Sequence, residues 1–259
     1  MTGFNFEVWV SALPVLLIAA TFTWLLSLPL RNVSVVDSLW SLMLFAAGVI
    51  YALGSDPRAP RFTLVLWPLA IWAVRLSLYI TVRSMGKGEN LRYQAIRERN
   101  EPHFAFKSLY RVFWLQALLA WLISLPLLGA FSSIAPIGIL DYLGFALWLT
   151  GFVFEALSDW QLARFKRNSG NADAVMDGGL WRHSRHPNYF GEFCIWWGFA
   201  FIALSAGAWW SVPGPVLLSV LLLRVSGVRL LERDIGNRRP RYADYVLKTN
   251  AFFPGPRRK

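Results

Sequence analysis

Seven apolar stretches follow one another along the chain, each close to the length that a helix needs to cross a bilayer. They cover residues 9–30, 34–53, 62–82, 109–128, 137–158, 189–207 and 213–231. About 20 apolar residues are enough to span the hydrocarbon core. The pattern predicts an all-α, polytopic transmembrane helical bundle of about seven spans, built as a single integral membrane domain over residues 1–259. The turn-rich break "AGAWWSVPGP" also allows a tight hairpin for the last two stretches.

The distribution of basic residues predicts the orientation of the chain. The net charge is +11, from 26 Lys and Arg against 15 Asp and Glu. Most of the basic residues follow the first, third and fifth stretches and fill the tail, whereas the loops near 129–136 and 206–212 carry none. Only Arg58 and Arg61 fall on the other side. Since cytoplasmic loops are enriched in Lys and Arg, we expect the N-terminus outside and the C-terminus in the cytoplasm. Topology and attraction to membrane lipid explain this charge, so no nucleic-acid partner is expected.

Apart from Asp141, which lies near the outer start of the fifth stretch, the ionisable and amide residues in and at the ends of the predicted spans fall in the cytoplasmic half. They are Asp37, Arg75, Tyr79, Gln116, Glu155, Asp159, Asn188, Glu192 and Arg224. An ionisable group inside a span is costly and indicates a functional site. Structural ion pairs such as Arg75–Asp37 or Arg224–Glu192 are the alternative explanation. The one-sided distribution favours a ligand pocket that opens to the cytoplasm, at the inner membrane if the protein is bacterial.

The stretch "WRHSRHPNYFGE" at 181–192 places ionisable side chains directly before an apolar helix. His186 precedes Pro187, which suits the first turn of the next helix. A helix N-terminus favours phosphate or carboxylate, and Arg182 and Arg185 would add charge-assisted contacts. The two histidines and the single cysteine of this region lack a fourth ligand at a plausible spacing, so no metal site is expected.

Longer patterns resemble a known family. "VVDSLW", "WAVRLSLYITVR", "KGENLRYQ", "GGLWRHSRHPNYFGE" and "RLLERDIGNRRPRYADYVLKTNAFFP" are similar to the DUF1295 branch of the steroid 5-alpha-reductase-like membrane proteins, most clearly over residues 140–256. The resemblance implies an NADPH-dependent reductase that saturates a carbon–carbon double bond of an enone, steroid-like or other lipophilic substrate taken from the bilayer. The isoprenylcysteine carboxyl methyltransferases, which bind S-adenosylmethionine, share part of the pattern. The basic loop "RSMGKGENLRYQAIRER" favours the reductase, because it suits a ligand with several phosphates.

The resemblance also implies a set of site residues. Those expected to bind the cofactor NADPH are Arg75, Asp159, Lys166, Arg182, Arg185, His186, Asn188, Tyr189, Glu192, Arg224, Arg241, Tyr242 and Tyr245. The steroid reductases place a Glu with a partner Tyr against the substrate ketone, and that Glu has no clean match here. Asp37 is the nearest acid and the first candidate for the catalytic group that stabilises the developing enolate oxygen. Tyr79 is the second candidate.

A third interpretation of the sequence is a membrane transporter or a non-enzymatic structural protein. A transporter would need polar residues near the bilayer midplane, and often an internal repeat with broken helices. The polar residues here lie in one leaflet, and the sequence contains no visible repeat. The reductase is therefore the preferred interpretation.

Overall fold

The computed structural model describes residues 3–56, 58–168, 170, 174–225 and 242–258, and every regular element in these ranges is a helix. The helical segments are α1 (Phe6–Leu30), α2 (Val36–Leu53), α3 (Phe62–Ser84), α4 (Leu91–Glu98), α5 (Phe104–Phe131), α6 (Ile139–Arg167), α7 (Pro187–Ser205), α8 (Trp209–Val225) and α9 (Tyr242–Lys248). Short 3-10 turns occupy Val33–Val35, directly before α2, and Gly179–Arg182. The all-α prediction is confirmed.

Five helices in the described ranges are long and apolar enough to cross a membrane. They are Phe6–Leu30, Val33–Leu53, Phe62–Ser84, Phe104–Phe131 and Ile139–Arg167, and they coincide with the first five predicted spans. The helix α7 begins at Pro187, where the motif predicted a helix start, and α8 is a shorter apolar helix. The protein is therefore a polytopic membrane protein, while the count of seven spans and the orientation of the termini stay predictions.

The chain folds into two compact units. The first comprises residues 1–138 and 203–214, and the second comprises residues 139–202 and 215–259. The expectation of a single domain over the whole chain stays a prediction.

In the first unit, α2 packs against α1, α3 and α5. Small and polar residues on α2 allow this close packing. A Cβ on Gly48 would lie 2.5 Å from Leu69 Cδ2, and the Ser41 hydroxyl donates to the Ala73 carbonyl at 2.8 Å. A hydroxyl bonded to a backbone carbonyl needs no water, which suits a helix packed inside a membrane protein. The buried face of α2 thus orients its first turn, which carries Asp37.

In the second unit, α6 and α7 meet through glycines spaced seven residues apart on each helix. A Cβ on Gly151 would lie 2.5 Å from the Gly191 carbonyl oxygen, and a Cβ on Gly198 would lie 2.7 Å from the Gly144 carbonyl oxygen. Small residues let helix backbones approach closely in membranes, where packing replaces the hydrophobic effect as the source of stability. This contact brings the first turn of α7 against the second half of α6.

Candidate active site

In the first unit, a carboxylate, a phenol and a guanidinium meet at the beginning of α2. The Tyr93 hydroxyl donates to Asp37 Oδ1 at 2.5 Å, and Arg92 Nη2 donates to the same oxygen at 3.0 Å. Arg92 Nη2 also lies 2.5 Å from the Tyr93 hydroxyl. Asp37 lies in the first turn of α2, where the helix dipole favours a negative charge. Asp37 is thus an acceptor with two donors.

Burial distinguishes Tyr93 from the other two groups. Tyr93 is 2% exposed, whereas the side chains of Asp37 and Arg92 are 23% and 33% exposed. Burial, with the nearby negative charge of Asp37, raises the pKa of the Tyr93 phenol. The phenol is therefore neutral over the whole physiological pH range, and its single proton is the one donated to Asp37.

Gln116 on α5 extends this cluster. Its Nε2 lies 3.4 Å from the Tyr93 hydroxyl oxygen. The segment Leu109–Trp114, which ends two residues before Gln116, is π-helical, and such wide turns change the direction in which the following side chains project. Gln116 was noted in the sequence as a polar residue in a span, but nothing there linked it to Tyr93.

The predicted residues on α3 are also in the first unit. Arg75 and Tyr79 are four residues apart on one face of the helix, and both side chains are partly exposed. The Arg83 guanidinium lies 5.3 Å from the centre of the Tyr79 ring, in a cation–π contact. The assignments of Arg75 to the cofactor and of Tyr79 to catalysis stay predictions.

The basic loop of the sequence, residues 83–99, contains α4 and proves less cationic than its sequence indicates. Arg97 donates to both oxygens of Glu89, at 2.9 and 2.8 Å, and Arg92 is paired with Asp37. Two of the loop's charges are therefore neutralised within the first unit. Exposed cations remain in the same loop at Arg83, Lys87 and Arg99.

In the second unit, the motif packs directly on the second half of α6. The Trp181 indole N–H donates to the Ser158 carbonyl at 3.0 Å, and the Leu180 N–H donates to Gln161 Oε1 at 3.0 Å. Seven residues after Trp181, at the beginning of α7, Asn188 Nδ2 lies 3.4 Å from Asp159 Oδ1. Asp159 is 3% exposed, and so is Glu155, one turn before it. Two residues that were each predicted to bind the cofactor, Asp159 and Asn188, are thus brought together.

The C-terminal tail, residues 242–258, holds the motif from its other side. Arg185 Nη1 donates to the Thr249 and Val246 carbonyls at 2.6 and 3.1 Å, and the Arg185 N–H donates to Asn250. The Ser184 hydroxyl donates to the Phe252 carbonyl at 2.7 Å. These bonds give Arg185 a structural role that the sequence did not indicate, and its contact with a cofactor stays a prediction.

Tyr245 in α9 is anchored to the motif as well. Its hydroxyl donates to the Trp181 carbonyl at 2.5 Å and lies 3.3 Å from the Ser184 carbonyl oxygen. Burial raises the pKa of this phenol, so the hydroxyl keeps its proton. Tyr245 therefore connects the tail to the motif, whatever its role toward a ligand.

The remaining predicted residues of the second unit differ in exposure. Lys166, Arg182 and Arg224 are exposed at the surface. His186 is 4% exposed, and its ring stacks on that of Tyr189 at 5.7 Å. Tyr242 is buried, Glu192 is partly exposed, and Arg241 lies outside the described residues.

Comparisons with known proteins find related sequences. A family model described as "Protein of unknown function (DUF1295)" matches residues 23–249. An uncharacterized protein of Schizosaccharomyces pombe is 25% identical over 97% of this chain and 81% of its own length. The 3-oxo-5-alpha-steroid 4-dehydrogenase 1 of Rattus norvegicus is 39% identical over 31% of this chain and 30% of the enzyme, and that of Homo sapiens is 33% identical over 33% and 30%.

The match therefore spans less than one third of these steroid enzymes. No solved structure matches the chain at a significant level. Because the family model covers most of the sequence, the chain belongs to the DUF1295 family of steroid 5-alpha-reductase-like membrane proteins.

Proposed function

We propose that the protein is a membrane reductase that uses NADPH to saturate a carbon–carbon double bond conjugated to a carbonyl group. The lipophilic substrate enters from the bilayer, and the active site faces the cytoplasm. The observation that carries the proposal is the Tyr93 hydroxyl, held between the Asp37 carboxylate and the Arg92 guanidinium. The similarity to steroid dehydrogenases supports the oxidoreductase class.

NADPH, when bound, supplies a hydride, and addition of that hydride to a conjugated double bond places negative charge on the substrate's carbonyl oxygen. A positioned donor stabilises such an oxygen by about 2.7–4 kcal/mol. We assign this role to Tyr93, because its raised pKa keeps the phenol protonated. Its single O–H is donated to Asp37 in this structure and would turn from that carboxylate to the substrate oxygen. Asp37, an acceptor of two hydrogen bonds, is better suited to orienting the donor than to donating itself.

Residues of the second unit fit a dinucleotide by their chemistry. Asp159 offers a carboxylate and Asn188 an amide, which suit hydroxyl groups. Lys166, Arg182 and Arg224 offer exposed cations, which suit phosphates. We assign these residues to the cofactor. They would bind and orient it, while the buried contact between α6 and α7 holds Asp159 and Asn188 in place.

A methyltransferase that binds S-adenosylmethionine is the second candidate, and one observation favours it. Arg92 and Arg97 are paired with acids of their own unit, so the loop has fewer cations for phosphates than its sequence indicates. The same motif would then bind a cofactor that carries no phosphate.

Ligand binding distinguishes the two candidates. Thermal unfolding of the detergent-purified protein is measured with NADPH, NADH and S-adenosylmethionine added separately. A ligand that binds only the folded state stabilises it by about 2.7 kcal/mol at a hundredfold excess over its Kd. We expect NADPH to raise the Tm, and Asn188→Ala to reduce that rise. Stabilisation by S-adenosylmethionine alone would refute the reductase.

The role of Tyr93 is tested by removing its hydroxyl. The rate of NADPH oxidation is measured with a panel of lipophilic enones. Loss of one oxyanion donor lowers kcat by about 100-fold to 1000-fold, so we expect a decrease of this size for Tyr93→Phe. The matched control is Tyr110→Phe, since Tyr110 is 51% exposed. Equal turnover in the two variants would remove Tyr93 from the mechanism.

A further inference from the structure

The loop between α3 and α4 contains one buried carboxylate that contacts two segments of the first unit. Glu89 Oε1 accepts the Val33 N–H at 2.9 Å, directly before α2. Arg97, near the end of α4, donates to both Glu89 oxygens. The Glu89 side chain is 7% exposed, so water is largely excluded from these contacts. Glu89 therefore joins the beginning of α2 to α4.

A second hydrogen bond connects the same two segments. The Asn90 N–H donates to the Ser34 hydroxyl at 2.8 Å. Asn90 is also the N-cap residue of α4, because its Oδ1 accepts the Arg92 N–H at 3.0 Å. The residues next to Glu89 and Val33 are thus aligned, and the two helices start from a common set of contacts.

The candidate catalytic pair lies one turn further along each helix. Asp37 follows Val33 by four residues, and Tyr93 follows Glu89 by four residues. We therefore expect a movement of Glu89 and Asn90 relative to Val33 and Ser34 to change the Asp37–Tyr93 distance. We infer that Glu89, held by Arg97, is a positioning residue that sets the hydrogen bond between Asp37 and Tyr93, an inference whose catalytic meaning rests on the proposed function.

We call the contacts of Glu89 with Arg97 and with the Val33 N–H the clamp. Its chemistry explains why residue 89 is a carboxylate. A carboxylate accepts the forked guanidinium and the backbone N–H at the same time, whereas an amide would turn an N–H₂ group toward one of these donors. Burial raises the pKa of Glu89, but the bonds from Arg97 and the Val33 N–H outweigh burial and lower it overall. Glu89 is therefore ionised at neutral pH and keeps its three hydrogen bonds.

The experiment measures the Asp37–Tyr93 contact without relying on enzyme activity. 3-Fluorotyrosine is incorporated at position 93 of the full-length protein in nanodiscs, and its ¹⁹F resonance is recorded with and without Asp37→Asn. We expect Asp37→Asn to move the resonance when it is the only substitution. We expect the same movement when Asp37→Asn is combined with the control Glu98→Gln, since Glu98 is an exposed acid on α4, the helix that carries Tyr93. When Asp37→Asn is combined with Glu89→Gln, we expect this response, the movement of the ¹⁹F resonance, to be lost.

A response of native size in Glu89→Gln overturns the inference, even if its Tm falls, because Glu89 would then only stabilise the loop. If Glu89→Gln does not fold, Arg97→Lys, which keeps the charge but not the forked contact, is measured instead. A reduced response supports the inference, and a full response overturns it.

Turnover separates this inference from the proposed function. If the native protein reduces enones, we expect Glu89→Gln to lower kcat by up to about 100-fold, the effect of misplacing a catalytic group by about 1 Å, with the KM for NADPH unchanged. Absence of enone reduction in the native protein would remove the proposed function, while the ¹⁹F result would still decide the role of Glu89.

Discussion

Replacement of Gly191 by alanine is expected to push α7 away from α6 and to destabilise the second unit. A Cβ at this position would lie 2.6 Å from both the Glu155 backbone nitrogen and the Gly151 carbonyl oxygen, and 2.7 Å from Glu155 Cβ. The nearest of these atoms belong to the backbone, so no side chain can rotate to make room. The helices themselves must separate.

The magnitude follows from these distances. Extending a 2.6 Å contact to an ordinary 3.4 Å contact requires a shift of about 0.8 Å. Overpacking of a tight contact typically costs about 1–3 kcal/mol. For a chain of this size, 1 kcal/mol lowers the Tm by about 2–4 °C, which gives an expected decrease of about 2–12 °C.

Thermal unfolding of the purified variant tests this estimate. The matched control is Gly178→Ala, because a Cβ on Gly178 would have no atom within 4 Å. We expect the control to unfold with the native Tm. Since Asn188 lies one turn before Gly191, the variant should also weaken NADPH binding more than the control does. A Gly191→Ala protein with native Tm would refute the close helix contact on which the site depends.

Three further predictions concern the tail, the clamp and the phenol. Arg185→Met removes hydrogen bonds from a charged donor, each worth about 1.5–3 kcal/mol. We therefore expect faster proteolysis of the tail in this variant than in the control Arg182→Met, and equal rates would contradict the anchoring role of Arg185. Burial opposes ionisation of Glu89, but its guanidinium partner and a backbone N–H lower its pKa from the ordinary value of 4.5. The stabilising contribution of the ionised carboxylate is therefore present above about pH 4.5 and is lost as the pH falls further. Glu89→Gln should therefore show a flatter loss of Tm on acidification, and an unchanged acid profile would be evidence against the clamp. Gln116→Leu removes one neutral hydrogen bond to Tyr93, and enone turnover should fall roughly twofold to tenfold, with no change counting against its place in the site.

The helices that cross the membrane could be predicted from the sequence because hydrophobicity and length alone decide them. An unpaired backbone group in hydrocarbon costs several kcal/mol, so a long apolar segment must form a helix that satisfies its own hydrogen bonds. The start of α7 was also predictable, since Pro187 disfavours a helical conformation for the residue before it and fits the first turn after it. Both signals are local in the chain.

The candidate site depends on contacts that are not local. Asp37 and Tyr93 are 56 positions apart, and Arg185 meets the Thr249 carbonyl 64 positions away. In the sequence, Arg92 and Tyr93 are part of a basic loop, and Arg185 is one of several cations beside a helix N-terminus. A guanidinium pairs with whichever acceptor the packed chain brings within reach. Apolar length therefore determined which segments can cross the membrane, and tertiary packing decided which charges are paired inside the protein and which are exposed.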